Sequence, residues 1–251
     1  DFYLQDLSKT GYVGFKNYFY LFNERNFLSS LVTTLIFVIS IILFTVTLGL
    51  ALSVLLNQDF YGKGLTRILV ISPFLVAPTV AAGIWKLMLM SPTFGLFKWV
   101  SKSFGYNPID WFGDLPLFSI IIIVCWQWLP FALLILLTAL QSLPKDQVEA
   151  ARIDGANELQ IFISITINHL KRPIAIVIML ETIFVLNLFA HIYSTTNGGP
   201  GNATTNLPYL IYQKALLDYD VGGAAAGGII AVIFANIVAF FLLSFLSKNI
   251  N

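Results

Sequence analysis

The chain has 251 residues, of which 57% are hydrophobic and 11% charged, with a net charge of +1 and a mean hydropathy of +0.82. Soluble domains carry about 25% charged residues, so a chain this apolar, with 22 Phe, 10 Tyr and 5 Trp, cannot cover a core with polar surface and reads as a membrane protein. The near-zero charge excludes a basic nucleic-acid surface, the hydrophobicity excludes disorder, and the lone Cys125 excludes an internal disulfide or a zinc cluster.

Residues 1–30 read as a polar segment outside the membrane. The chain starts at Asp1 with no initiator Met and no signal-peptide pattern, so an upstream part of the gene product, with one further spanning helix, is expected. About 20 apolar residues cross a bilayer as a helix, and five stretches qualify: 31–56, 68–90, 117–140, 174–194 and 223–246. Lipid admits only helices or closed barrels, and these runs are too long and continuous for barrel strands. The fold class is all-α, a polytopic transmembrane helical bundle.

Within these stretches, Pro73, Pro78 and Pro130 predict kinks. Lys86, near the end of its stretch, is expected to snorkel to the interface, whereas Glu181 has no such escape. Glu181, Asn187 and His191 fall on one side of a continuous helix. With Gln127, Trp126 and Tyr193 they form a candidate polar and aromatic lining for a path through the membrane; ordinary packing and interface anchoring are the competing uses. The stretch 195–222 opens with the turn-rich Asn197-Gly198-Gly199-Pro200-Gly201-Asn202 and is expected to end in a short helix lying in the interface. Gly223 and Gly227 make a smooth face for a helix contact, within this chain or against a partner.

Lys and Arg set the orientation. Stretches 57–67, 141–173 and the tail hold seven in 49 residues, against six in 84 residues on the other side (1–30, 91–116 and 195–222). The denser side is the cytoplasm, which places loop 141–173 and the C-terminus inside.

That loop is far longer than two spans require and carries eight charges, four of each sign. Pro144 suits the first turn of a helix, with Asp146 and Glu149 near its positive end. Val148, Ala151 and Gly155 share a face of small residues that another protein could approach closely. Gly155 then permits a turn, and Asn157 with Gln160 predicts a capping box that opens a second helix. On these features alone, an amphipathic hairpin on the inner leaflet stays open beside a docked element.

Glu149-Ala150-Ala151-Arg152-Ile153-Asp154-Gly155-Ala156, with Phe162 and Ile165-Thr166-Ile167 beyond, resembles the EAA loop of ABC-transporter permeases, closest to the binding-protein-dependent carbohydrate importers of the maltose type. Trp126-Gln127-Trp128-Leu129-Pro130-Phe131, Leu140-Gln141-Ser142-Leu143-Pro144 and Asn197-Gly198-Gly199-Pro200-Gly201 agree with it. The resemblance implies a type I ABC importer permease (MetI-like) fold, with residues 31–247 as the transmembrane domain and six or more spans in the family. It also implies a coupling helix seated in a cytoplasmic ATPase, with Glu149, Ala150, Ala151, Asp154, Gly155 and Leu159 as contacts.

The implied partners are a second permease subunit, two ATP-binding subunits, an external solute-binding protein, a carbohydrate substrate and the lipid of a bacterial inner membrane. The chain has no phosphate-binding loop, so ATP and Mg are expected on the partner subunits and no cofactor or enzymatic activity on this one. Where the family reads Leu-Pro after the second loop helix, this chain has Ile167-Asn168, with Pro173 expected to supply the break instead. Two rivals are an ion-coupled carrier using Glu181 and His191, and an intramembrane enzyme using Glu181, His191 or Lys86.

Overall fold

A computed structural model describes residues 11–250, with no strand among them. The first ten residues of the expected outer segment 1–30, and Asn251 of the tail, lie outside the described residues. The helices are α1 (Lys16–Asn23), α2 (Arg25–Asn57), α3 (Lys63–Ile71), α4 (Pro78–Gly83), α5 (Leu96–Ser103), α6 (Trp111–Asp114), α7 (Pro116–Gln141), α8 (Lys145–Ile153), α9 (Glu158–Ile161), α10 (Ile167–Leu186), α11 (Ala190–Thr195), α12 (Leu207–Tyr212) and α13 (Val221–Ile250). Single π-type turns extend α4 (Ile84–Leu89) and α12 (Gln213–Leu217) and join α9 to α10 (Phe162–Thr166).

Three of the five expected spans are unbroken apolar helices: α2, α7 and α13. The other two are interrupted. In 68–90, α3 tightens into a 3₁₀ turn (Ser72–Leu75), and Val76 and Ala77 are extended before α4 begins at Pro78. Proline disfavours helical geometry in the residue before it, so Ala77 breaks the span rather than kinking it. In 174–194, α10 stops at Leu186 and α11 starts at Ala190. Pro130 and Pro173, by contrast, are accommodated inside α7 and α10. Pro173 therefore supplies no break, and α10 also runs through Asn168, whose Nδ2 donates to the Ser164 carbonyl at 2.5 Å.

The chain forms two compact units. Among the described residues the first comprises 11–41, 77–124 and 183–239 and the second 42–76, 125–182 and 240–250. The described parts of the polar stretches that the Lys/Arg bias puts on one side (11–30, 91–116, 195–222) all belong to the first unit. Those on the other (57–67, 141–173 and the tail) all belong to the second.

The first unit is built around α12. Leu207 and Leu210 are buried with Leu21, Phe27, Ala226 and Ile230, and the Leu207 N–H donates to Thr34 Oγ1 at 3.0 Å. The short helix expected to lie in the interface is instead core. The reason is local: Asn206, fully buried, accepts the Tyr209 N–H at 3.1 Å with Oδ1 and so caps α12, while its Nδ2 donates to the Leu188 carbonyl just past α10. Gly198 is left-handed (φ +82°), and a Cβ there would lie 2.4 Å from Thr205 Oγ1, so only glycine fits the turn. The glycine face of α13 packs within the chain: a Cβ on Gly227 would sit 3.3 Å from Ile211 Cγ1. Lys86 is half-buried and tied to the protein backbone. Its Nζ donates at 2.5 Å to the carbonyl of Thr195, the last residue of α11, where the helix dipole favours a cation.

In the second unit α2, α7 and α10 pack through aliphatic residues. Leu56 is buried with Leu133 and Leu137, and Ala132 and Leu136 with Val177. A Cβ on Gly49 would lie 2.9 Å from Ala132 Cβ, so α2 and α7 meet backbone to backbone. His169 Nε2 lies 3.2 Å from Ser142 Oγ and 3.0 Å from the Ala139 carbonyl, which fastens the start of α10 to the end of α7. Outside the spans, the Lys63 ammonium hydrogen-bonded to Asp59 holds that carboxyl below its usual range.

Candidate coupling loop and substrate path

In loop 141–173, Pro144 is the residue before α8 rather than within its first turn, so α8 starts at Lys145 with Asp146 in the first turn. The helix ends as glycine dictates. Gly155 takes φ +86°, its N–H donates to the Arg152 carbonyl, and the Ala156 N–H reaches back to the Ala151 carbonyl at 2.9 Å. Asn157 then opens α9 with the capping box anticipated from sequence: Asn157 Oδ1 accepts from the Gln160 N–H at 2.9 Å, and Gln160 Oε1 from the Asn157 N–H at 2.8 Å. Arg152 bridges the bend, with Nε and Nη2 each 3.0 Å from Glu158 Oε1. The loop is thus two capped helices at a fixed corner.

Its exposed surface differs from the small-residue face expected. Val148 and Ala151 are half-buried, and Val148 and Glu149 line a groove of about 400 Å³ with Asn57, Leu140 and Lys145. Glu149, Ala150, Asp154 and Gly155 are exposed, and two large apolar side chains stand out on either side of the corner: Ile153 (86% exposed) and Leu159 (66%). Ile153 was not among the expected contacts. The signal in the sequence was an isoleucine in the last turn of a helix whose other residues are nearly all polar or small.

The continuous helix expected to carry Glu181, Asn187 and His191 is interrupted. Asn187 falls in the break after α10, which abolishes the continuous helical register that linked it to Glu181 and His191. In the second unit Glu181 is fully buried, and Thr45 Oγ1 donates to its Oε2 at 2.5 Å across from α2. Gln127, also buried, donates from Nε2 to the Val76 carbonyl at 2.5 Å, satisfying the backbone where α3 ends; Trp126 beside it is half-buried. In the first unit His191 is buried within α11. Tyr193 joins a cluster with Phe189, Tyr209 and Tyr212, whose ring centroids lie 5.1 to 5.9 Å apart. The last three were missed, because only folding brings residues 189–193 against 209–212.

Of Glu181, Gln127, His191 and Asn187, only Asn187 is exposed. It lines a groove of about 440 Å³ with Thr34, Leu207, Pro208 and Asn236. Asn187 and Asn236 each donate one amide hydrogen to the carbonyl four residues back, at 2.8 Å. Each thereby fixes its carboxamide while leaving an amide oxygen and one N–H for a ligand.

Residues 18–251 match the family described as binding-protein-dependent transport system inner membrane component. The trehalose/maltose transport system permease protein MalF of Thermococcus litoralis is 38% identical over 217 residues, which is 85% of this chain and 73% of that protein. The sn-glycerol-3-phosphate transport system permease protein UgpA of Rhizobium meliloti is 30% identical over 246 residues, 97% of this chain and 83% of that one. A chain from the crystal structure of a bacterial alginate ABC transporter, in complex with an alginate pentasaccharide-bound periplasmic protein, superposes with a TM-score of 0.83 at 22% identity. That superposition covers 96% of this chain and 85% of the other and shows the shared fold. These comparisons give the ion-coupled carrier no support. With apolar helices long enough to cross a bilayer, a capped loop of EAA type and a family match over almost its whole length, the chain belongs to the ABC-importer permeases, multi-pass inner-membrane components of binding-protein-dependent transport systems.

Proposed function

We propose that this permease forms part of the path for a saccharide or a small polyhydroxylated relative, delivered by an external binding protein. In this reading it pairs with a second permease and two ATP-binding subunits that hold ATP and Mg, and loop 141–173 and the C-terminus face the cytoplasm. The observation that carries the reading is the exposed corner of the loop. Two apolar side chains, Ile153 and Leu159, flank a glycine held at φ +86°, and helix caps and an ion pair on both sides make the corner rigid. A corner built this way transmits a push from a bound subunit instead of absorbing it. The contacts are assigned to Glu149, Ala150, Asp154, Gly155 and Leu159, with Ile153 added and Ala151 supporting them from the half-buried side.

The test is affinity purification of the tagged chain from gently solubilised membranes. Recovery of an ATPase subunit and a second permease is expected, and Leu159→Asp should lower ATPase recovery at least tenfold while leaving the permease pair intact. Recovery of the chain alone, active in ATP-independent uptake, would refute the assignment.

The substrate class follows the relatives, one named for trehalose and maltose and one for sn-glycerol-3-phosphate, and the alginate-transporter likeness in fold. The path is assigned to Asn187, because its carboxamide is exposed, oriented and paired across a groove with Asn236. Glu181 and Gln127 serve instead to hold helices and a broken span together. Asn187→Ala is expected to reduce uptake by about tenfold, the loss of one hydrogen bond to a bound hydroxyl, with unchanged amounts of assembled complex on a blot. Uptake at the parental rate would remove Asn187 from the path.

A further inference from the structure

The segment 91–116 contains a helix whose surface the transport reading leaves unused. α5 has three distinct faces. Phe97 turns inward, its ring 6.1 Å from Trp85 and 5.5 Å from Trp111. Leu96, Trp99 and Val100, at spacings of three and four, form an apolar face that is 54%, 71% and 48% exposed, and Phe104 just past the helix extends it at 75%. Lys98 and Lys102, one turn apart, form the third face. Together with Trp99 and Ser103 they line an open groove of about 370 Å³. Lys98 spends one donor on the Thr93 carbonyl, and Lys102 makes no hydrogen bond or ion pair among the described residues. The two acidic groups of the segment, Asp110 and Asp114, lie beyond the helix, and Asp110 is engaged in capping α6 through the Gly113 N–H at 3.0 Å.

We propose that α5 is an interfacial anchor: its apolar face enters the acyl region of the adjacent leaflet, and Lys98 and Lys102 hold phosphate groups of phospholipids in the groove beside Trp99. Two features select lipid over a protein as the occupant. The apolar face continues, in sequence, the exposed Leu87 and Met88 of the apolar stretch that ends at Leu89, so exposed apolar side chains run from an expected span straight into α5. The ordering of an apolar face, a tryptophan at its margin and lysines beyond it is the distribution that a helix lying at the headgroup boundary requires. Anionic headgroups complement the lysine pair.

The test uses the assembled transporter, with its partner subunits, in vesicles of phosphatidylethanolamine with phosphatidylglycerol. A nitroxide is attached at Val100→Cys in a Cys125→Ser background, and its collision rates with oxygen and with a water-soluble nickel chelate give its depth. The label is expected about 5–10 Å below the phosphates, and Lys98→Gln combined with Lys102→Gln should shift it outward. A label reached freely by the nickel chelate would overturn the anchor. So would one shielded from both reagents once the binding protein is added, which would make α5 a protein-docking surface. An unchanged depth in the double lysine variant would overturn the phosphate contact.

Discussion

Glu24→Gln should lower the stability of the purified permease by about 3–5 kcal/mol, seen as a large drop in the temperature at which it aggregates in detergent. Glu24 sits between α1 and α2, and its Oε2 is 2.7 Å from Lys214 Nζ in the π-type turn after α12. Lys214 is 6% exposed, and its ammonium also lies 5.5 Å from the Tyr20 ring centroid. Neutralising the carboxylate strands a cation whose side chain is 8% exposed, whereas Lys214→Met leaves an anion on a less buried side chain, 22% exposed. Lys214→Met should therefore cost clearly less than Glu24→Gln. A negligible loss in Glu24→Gln would show that the pair does not hold the two segments together, and equal losses would show that the stranded cation is no costlier than the stranded anion.

The second large effect is expected at Gly49. A Cβ at this position would lie only 2.9 Å from Ala132 Cβ and 3.3 Å from the Leu133 backbone nitrogen, so Gly49→Leu must push α2 off α7. Overpacking typically costs about 1–3 kcal/mol, and here the obstacle is backbone as well as a methyl group. The Leu variant should accumulate in the membrane at a small fraction of the parental level, and Gly49→Ala should be intermediate. Adding Ala132→Gly to Gly49→Ala should recover most of the loss, since it removes the methyl group that the new Cβ meets. Failure of that second substitution to rescue would place the defect elsewhere on α2.

Both effects sit at positions whose importance is invisible from residue type. Gly49 is one glycine in an apolar run, and Lys214 is one charge in a polar stretch. The loop lies at the other extreme. The cap at Asn157, the partner at Gln160 and the turn at Gly155 are interactions over three to five residues, and local spacing is enough to specify them. Proline behaved less uniformly. Pro78 coincides with a broken span, while Pro130 and Pro173 sit inside continuous helices. A proline removes one hydrogen bond wherever it occurs, but whether the backbone opens there depends on what can accept or donate in its place. At Val76 the freed carbonyl is taken by Gln127, 51 residues away in sequence.

The membrane environment, the helical secondary structure, the corner of the loop and the family resemblance were all legible from contiguous residues, because composition, apolar run length and short-range capping are local properties. Which polar groups are available was not, and depends on the folded arrangement. Glu181, Gln127 and His191 are buried, α12 belongs to the core, and Asn187 is exposed in the break that follows α10. Lipid makes an unsatisfied polar group costly, so each intramembrane polar side chain is drawn to a partner distant in the chain, and only the tertiary contacts show which ones are left for a ligand.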